Sequence, residues 1–520
     1  MQTENQKLVE RPPVVAIMGH IDHGKSTLLQ YIRNIAIMAK PASAGRPAQA
    51  LPELREAGGI TQHISAYEVE HPSSEGKKRT ITFIDTPGHE AFSGIRKRGA
   101  HVADVAILVV SAEDGVKPQT LEALVSIKES KTPFIVAINK MDKPEADLER
   151  TKQSLAENEI YIEGYGGDIP AVPISAKTGD GISELLDMIG LVSDMENLTG
   201  NPNLLGQGII LESSRDTKRG ISATCIIKNG TIEKGQYISA GTAVAPVRIM
   251  ENYLGKPLEK ATFSSPVKII GWDNLPEVGT EFQAFKTRDE AYERAQEYTL
   301  NGKPKTTKEA KSGDNVFTPE NVVPIIIKAD AGSSMEAILA QIAKLDSDRI
   351  GVEVISSGIG PISENDIRVA NGREKALVIG FNVGIDPLAQ SLALRNAIEI
   401  KTFDIIYKMK EWLEEMLIAR TPKTKTEEST GTAKILKTFS KVKDKQIVGA
   451  RVEKGEIKLG AQVKIMRRDA EIGQGKVREL QVQKTKTDEV SESREFGVMI
   501  EAKVEIAPGD HIESFVIVEK

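Results

Sequence analysis

The segment VVAIMGHIDHGKSTLLQYIR (14–33) constrains this chain more than any other stretch of it. An apolar run, a glycine-bounded loop and a helix-like stretch follow one another without interruption, which predicts strand, loop and helix. The loop comprises Gly19, His20, Ile21, Asp22, His23, Gly24, Lys25 and Ser26, and it has the form G-x-x-x-x-G-K-[ST]. Gly19 and Gly24 let the backbone turn so that successive N–H groups face a phosphate chain. Lys25 brings a cation to the terminal phosphates, and Ser26 offers a hydroxyl to Mg2+. His20 and His23 lie inside the loop, where a structural role is expected of them.

Three further motifs follow in order, each after an apolar, strand-like run. ITFID leads into DTPGH, which is Asp85, Thr86, Pro87, Gly88 and His89. Asp85 can hold a Mg2+-bound water, and Gly88 can present its N–H to a γ-phosphate. FIVAI leads into Asn139, Lys140, Met141 and Asp142. Here the Asp142 carboxylate can accept two hydrogen bonds from the guanine edge, Asn139 can meet the O6/N7 side, and the Lys140 stem can lie over the ring. Adenine lacks those donors, so the motif specifies GTP and GDP. AVPI leads into Ser175, Ala176 and Lys177, which would complete the base pocket. Four motifs in this order, each at a strand end, predict a P-loop GTPase α/β domain over 12–193.

Thr61, in EAGGITQH (56–63), is the candidate to join Ser26 and Asp85 (through water) around Mg2+ while a γ-phosphate holds its loop. His89, next to Gly88, is the candidate catalytic residue, near enough to position an attacking water.

With 520 residues the chain has room for three or four domains. Short strand-like runs with Gly and Pro turns predict a first β-barrel over 206–295, followed by a lysine-rich linker over 296–321. VVPIIIKA opens a small α/β layered domain over 322–402, with helices from about Ser334 to Leu345 and near 363–370. Ile405, Ile406, Met409, Trp412, Leu413, Met416 and Leu417 fall on one face of a connecting helix over 403–420 and are expected to pack. Short strands return in a C-terminal β-barrel over 430–520. KNGTIEKGQYI (228–238) and EKGEIKLGAQV (453–463) align without a gap, matching Gly230 with Gly455, Ile232 with Ile457, Gly235 with Gly460 and Ile238 with Val463. That echo favours a duplicated barrel.

Composition excludes several classes. Cys225 is the only cysteine, so no intramolecular disulfide can form, and no Cys/His spacing matches a structural zinc site. The N-terminus lacks the apolar core of a signal peptide, and runs such as VAILVV are too short to span a bilayer. No membrane association and a cytoplasmic location are expected. The net charge of −6 hides an uneven distribution: residues 421–486 hold 17 basic and 8 acidic residues, whereas 487–520 hold 3 and 9. Taken alone, such a run reads as a solvated face.

GHIDHGKS, EAGGITQHISAYEV, DTPGHEAF, GVKPQTLEA and NKMD together resemble the translational GTPases, and among them the initiation-factor-two family of bacteria with its archaeal and eukaryotic relatives. The likeness continues through VPIIIKADAGSSMEAI, VISSGIGPISENDI and IGFNV to the last barrel. It implies a factor that is monomeric off the ribosome and, bound to GTP, sits between the small and large ribosomal subunits, with GTP hydrolysis following subunit joining. It also implies that His89 is catalytic once the ribosome orients it, and that the 322–402 domain and the helix form a lever. By the same resemblance the last barrel cradles the end of initiator formylmethionyl-tRNA, at positions that include Glu495, Phe496 and Gly497.

Four departures from the family pattern stand out. The long N-terminal extension of many bacterial members is expected to be missing. Residues 38–52 look like an insertion beside the switch. The family's Lys-Arg-aromatic stretch is Gln481, Val482 and Gln483 here, its Glu-Cys-Gly is Glu495, Phe496 and Gly497, and Ala450 replaces a second cysteine. The chain ends at the barrel, which favours the bacterial branch. The third departure motivates an alternative, a ribosome-joining GTPase with weakened or lost recognition of the aminoacyl end. An elongation-type carrier is disfavoured, because a domain and a helix separate the two barrels.

Overall fold

The computed structural model describes residues 8–38, 64–72, 78–300, 322–345, 351–420, 425–468, 470–483 and 485–519. Thr61 and residues 39–52 of the expected insertion lie outside the described residues. The chain divides into two compact units, Met1–Ala419 and Arg420–Lys520.

The first unit opens with a six-stranded sheet built from β1 (Val14–Gly19), β2 (Ser65–Pro72), β3 (Lys78–Asp85), β4 (Val105–Ser111), β5 (Phe134–Asn139) and β6 (Ala171–Pro173). Its order is β2-β3-β1-β4-β5-β6, and every pair is parallel except β2 with β3. The helices are α1 (Lys25–Met38), α2 (Ser93–Val102), α3 (Pro118–Ser130), α4 (Leu148–Glu157) and α5 (Ile182–Met195). A parallel sheet covered on both faces needs strands that are apolar throughout, and all six residues of β1 are buried. Alternation along β1 divides them: Val15 and Ile17 pack with Leu28, Ile32, Leu185 and Ile189, while Ala16 and Met18 pack with Ala123, Leu124 and Ile127. The connections after β1 leave in one direction and those after β3 in the other, which opens a crevice at the carboxyl ends of the strands.

Seven antiparallel strands between Gln207 and Phe285 wrap the next core. The Arg288–Leu300 helix packs Ala291 and Ala295 against Val244. Residues 296–300, expected in a linker, therefore complete a helix, because alanines at helical spacing find an apolar surface on the barrel.

A four-stranded parallel sheet follows, in the order Gly351–Ile359, Val322–Ala329, Leu377–Phe381, Glu399–Phe403. The last strand reaches Phe403, so the helix expected from 403 begins at Ile406 and runs to Arg420. Its Ile406, Met409, Leu413 and Leu417 are buried, with Trp412 and Met416 partly covered, so the stripe is packing.

One hydrophobic core joins all parts of this unit. It takes Ala91 and Phe92 from the Glu90–Phe92 turn, Ile95 from α2, Leu211 and Ile226 from the barrel, Met335 and Ile338 from the Gly332–Ile342 helix, and the buried stripe of Ile406–Arg420. Polar contacts reinforce it. The Glu212 carboxylate of the barrel accepts hydrogen bonds from the Ser333 backbone N–H at 3.2 Å and from the Ser333 hydroxyl at the start of the Gly332–Ile342 helix. Arg98 of α2 meets Glu336 of that helix at 2.5 Å.

The second unit is a barrel with its own core. Lys425–Val442, His511–Glu519, Gln462–Arg467, Ala470–Val482, Glu495–Ala502 and Lys445–Lys458 pair in that order, and the last pairs back to the first, closing a ring of six strands. The two repeated segments match in backbone as well as in sequence. Gly230 and Gly455 have φ 77° and 70°, and Gly235 and Gly460 have φ 95° and 83°, a region that favours glycine. Ile232, Ile457, Ile238 and Val463 are all buried.

Candidate nucleotide-binding site

The loop after β1 closes against its neighbours so tightly that its glycines are required. A Cβ at Gly19 would come within 2.4 Å of Val109 O, and one at Gly24 within 2.4 Å of Asn139 Nδ2. Lys25, 3% exposed, turns Nζ back onto the loop and donates to Gly19 O at 2.8 Å and to His20 O at 2.6 Å. Burial lowers its pKa to about 8. The ammonium thus sits inside a cradle of its own carbonyls, a place that phosphate oxygens would contest. His23 is buried against Val109 O at 3.2 Å, and desolvation lowers its pKa to about 4. His20, Ile21 and Asp22 form the loop crest with His23, where Gln119 of α3 accepts the Ile21 N–H at 3.1 Å.

The DTPGH loop meets this cradle. Thr86 donates its hydroxyl to Ile17 O at 2.6 Å, and a Cβ on Gly88 would come within 2.4 Å of Lys25 Nζ. Arg96, 1% exposed, holds the loop from beneath, donating to Gly88 O at 3.2 Å and to His89 O while pairing with Glu122. Sequence gave no sign of this role, because FSGIRKRG offers three basic residues in one turn and spacing does not say which of them turns inward.

His89 is 2% exposed. Its Nδ1 accepts the Ala91 N–H at 2.8 Å and caps the short Glu90–Phe92 turn, while its buried Nε2 has no hydrogen-bond partner among the described residues. The ring lies 3.8 Å from that of Tyr407, centroid to centroid, at 51°. Burial lowers the pKa to about 4, offset in part by Glu90 and assisted by Arg96, Lys344 and Lys410. The neutral imidazole is therefore held against the Ile406–Arg420 helix.

Ser26 is exposed in the first turn of α1, and Asp85 ends β3 directly beside β1, paired in register with Ile17. A hydroxyl and a carboxylate next to a phosphate cradle suit a hard, water-retaining divalent cation, so the residues present fit Mg2+.

The base loops are tied to the phosphate loop by one side chain. Asn139 Nδ2 donates to His23 O at 2.8 Å, and Asn139 Oδ1 accepts the Ala176 N–H at 2.9 Å. Asn139 thus bridges the two loops through its Oδ1 and one of the two Nδ2 hydrogens, which is compatible with the expected contact to the O6/N7 acceptors through the second. Asp142 accepts the Ser175 hydroxyl at 2.7 Å, which holds its carboxyl below the usual range. Lys140, at φ 69°, pairs with Glu113 at 2.8 Å, and Lys143 meets the same carboxylate at 2.9 Å. These hydrogen bonds lower the pKa of Glu113 to about 2. Met141 N donates to Ile174 O at 3.2 Å, and Lys177 is exposed at the rim.

In the second unit, register places Ala450 opposite Phe496, Gly449 opposite Gly497, and Gln481 opposite Gly497 on its other side. The substituted positions are therefore neighbours. Phe496, expected at a ligand surface, is 4% exposed and belongs to the barrel core, where the small Ala450 leaves room for its ring. Glu495 is exposed and Gly497 partly so.

The Elongation factor Tu GTP binding domain family matches residues 10–193, Elongation factor G domain 2 matches 206–285, and Translation-initiation factor 2 matches 301–414. Translation initiation factor IF-2 of Rubrobacter xylanophilus is 39% identical over 99% of this chain and 72% of its own length. That of Bacillus cereus is 39% identical over 100% and 74%, and that of Nitratiruptor is 40% identical over 99% and 60%. Among solved structures, GDP-bound aIF5B from Aeropyrum pernix aligns over 97% of this chain and 92% of its own at 26% identity, with a TM-score of 0.47. No helix among the described residues is long and apolar enough to cross a membrane. With identity near 39% along its full length, the chain belongs to the bacterial translation initiation factor IF-2 family.

Proposed function

We propose that this chain binds GTP with Mg2+, carries initiator formylmethionyl-tRNA, promotes joining of the small and large ribosomal subunits, and hydrolyses GTP on the ribosome. The observation that carries the nucleotide part is the Asn139 bridge, which draws the phosphate loop and the base loops into one crevice. Within it, each group has a task. Lys25 exchanges its bonds to Gly19 O and His20 O for bonds to the terminal phosphates. The Gly88 N–H, brought beside Lys25, reads the γ-phosphate. Asp142, already ionised and fixed by Ser175, accepts from the guanine edge. Mg2+ supplies charge neutralisation on the phosphates when bound, and Ser26, Asp85 and Thr61 would hold it.

His89 orients the attacking water. In this structure its ring packs on Tyr407, so hydrolysis requires the DTPGH loop to move off the Ile406–Arg420 helix, a movement that ribosome binding supplies. A specific observation favours the alternative in which aminoacyl-end recognition is weakened: the Phe496 ring fills the barrel interior beside Ala450.

Binding of fluorescent GTP and xanthosine triphosphate tests the base site. Asp142→Asn is expected to weaken GTP binding by roughly 100-fold or more, through loss of hydrogen bonds to a charged acceptor, and to favour xanthosine triphosphate. His89→Ala is expected to retain GTP binding and to lower ribosome-stimulated turnover by about 100- to 10,000-fold. Undiminished turnover would remove His89 from the mechanism.

A further inference from the structure

The segment GVKPQTLEA (115–123) lies outside the loops assigned to the nucleotide. It supplies the first turns of α3, whose start is set by Pro118 at the first helical position and by Thr120 Oγ1, which accepts the Lys117 N–H at 3.4 Å. Thr120, Ala123 and Leu124 are buried, while Gln119 and Glu122, three residues apart, are neighbours on the surface of the helix. Each reaches one of the two loops that meet at Gly88. Gln119 accepts the Ile21 N–H at the crest of the phosphate loop, at 3.1 Å. Glu122 pairs with Arg96, which donates to Gly88 O at 3.2 Å and to His89 O, and lies 3.5 Å from Pro87 O. Gly88 in turn abuts the phosphate loop, since a Cβ there would come within 2.4 Å of Lys25 Nζ and 3.1 Å of Ile21 N. Helix α3 therefore grips both sides of this contact.

Burying a guanidinium is costly unless its donors are used, and Arg96 is 1% exposed. Joining α2 to α3 does not require it, because Lys97 already meets Glu129 of α3 at 3.0 Å. Arg98 is directed to Glu336 on the Gly332–Ile342 helix. What Arg96 alone among these three basic residues adds is a hold on the carbonyls of the DTPGH loop. The consequence lies in peptide geometry. The carbonyl and the N–H of a trans peptide leave on opposite edges, so a Pro87–Gly88 peptide with its oxygen towards Arg96 turns the Gly88 N–H away from the guanidinium. The bond to His89 O fixes the backbone from which the imidazole extends.

We infer that Arg96 is a positioning residue for GTP hydrolysis: backed by Glu122, it sets the direction of the Gly88 N–H and the placement of His89, while Gln119 sets the phosphate-loop crest opposite them. The inference rests on the reading of Gly88 and His89 given under the proposed function. The Arg96 bonds act on groups that meet the γ-phosphate and the attacking water, so GTP and its hydrolysis depend on them and GDP does not.

The test uses the full chain. Titration with fluorescent GDP and with a fluorescent, non-hydrolysable GTP analogue gives the ratio of the two affinities, and single-turnover hydrolysis on ribosomes at saturating GTP gives the rate. Arg96→Gln is expected to shift the ratio roughly 10- to 100-fold against the GTP analogue, with GDP affinity near the wild-type value, and to lower the rate by a similar factor. Arg96→Lys, which keeps the charge without the fork, should recover part of both. Glu122→Ala, at a side chain 44% exposed, should move both in the same direction by about 2- to 5-fold, and should add nothing further in an Arg96→Gln background. Gln119→Ala should weaken GDP and the analogue together, because the crest serves both. Equal weakening of both nucleotides by Arg96→Gln would overturn the proposal, as would a wild-type ratio and rate in that variant. If Arg96→Gln does not fold, as judged by its thermal transition, Glu122→Ala decides by the same readouts. His89→Ala measured alongside separates the two readings. Undiminished turnover in His89→Ala removes the catalytic histidine and this proposal with it, whereas a fall there with Arg96→Gln unchanged removes this proposal alone.

Discussion

Asn139 illustrates how a single side chain can hold a site together from within. Its two bonds link the phosphate loop to the strand-end turn at Ala176, and removing them leaves His23 O and the Ala176 N–H unpaired in a buried place. Asn139→Ala is therefore expected to weaken GTP and GDP alike, by about 1–3 kcal/mol for each orphaned group, while selectivity for guanine survives through Asp142. Competition binding with GTP, GDP and ATP checks this, and lost selectivity would mean that Asn139 reads the base as well as bridging the loops. His23 and His89 carry the pH dependence. Both have folded pKa values of about 4 against an ordinary 6.5, so the folded state binds protons less readily than the unfolded chain. Stability of the first unit should fall as pH drops from 6.5 towards 4 and level off below, with a slope of at most ~1.4 kcal/mol per pH unit for each histidine. Urea denaturation across that range, with His23→Gln and His89→Gln, measures each share. At this scale the motif residues were legible because their chemistry is local. Arg96 and Gln119 were not, because their partners arrive from other elements.

Among the elements, the Ile406–Arg420 helix has two faces with different duties. Its apolar stripe was legible from spacing, and the stripe is buried as that spacing requires. Tyr407 lies outside the stripe and is 41% exposed, so periodicity could not single it out, yet it is the residue that meets His89. Tyr407→Ala should release the imidazole and raise ribosome-independent GTP turnover several-fold, while Tyr407→Phe, which retains the ring, should behave as wild type. Single-turnover hydrolysis measures both, and an unchanged rate in Tyr407→Ala would mean that the contact does not restrain His89. The repeated Gly-x-x-x-x-Gly hairpin was readable for a related reason. Left-handed φ at Gly230, Gly235, Gly455 and Gly460 leaves a mark in sequence, whereas the pairing that closes a ring of strands leaves none.

For the molecule as a whole, the division at Ala419 and the shared core before it make a thermodynamic statement. The GTPase domain, the first barrel, the parallel sheet and the connecting helix bury side chains in one cluster, so they should unfold together despite their four architectures. Calorimetry should show two transitions, and truncation after Arg420 should abolish one and leave the other in place. A third transition would mean that the common core does not couple its parts. The charge asymmetry of residues 421–520 was visible in the sequence, but which of those charges stand opposite one another depended on strand register and on where the bulges fall.

The ring of six strands in the second unit has one more consequence. A sheet edge is an open row of donors and acceptors, an invitation to any passing extended chain, and a ring whose last strand returns to its first withdraws that invitation. Domain exchange between copies would require the ring to open first. What stays open is short, the strands Thr485–Lys486 and Glu489–Ser491 and the one-sided stretch 435–442, so strand-to-strand association of this barrel is confined to those edges.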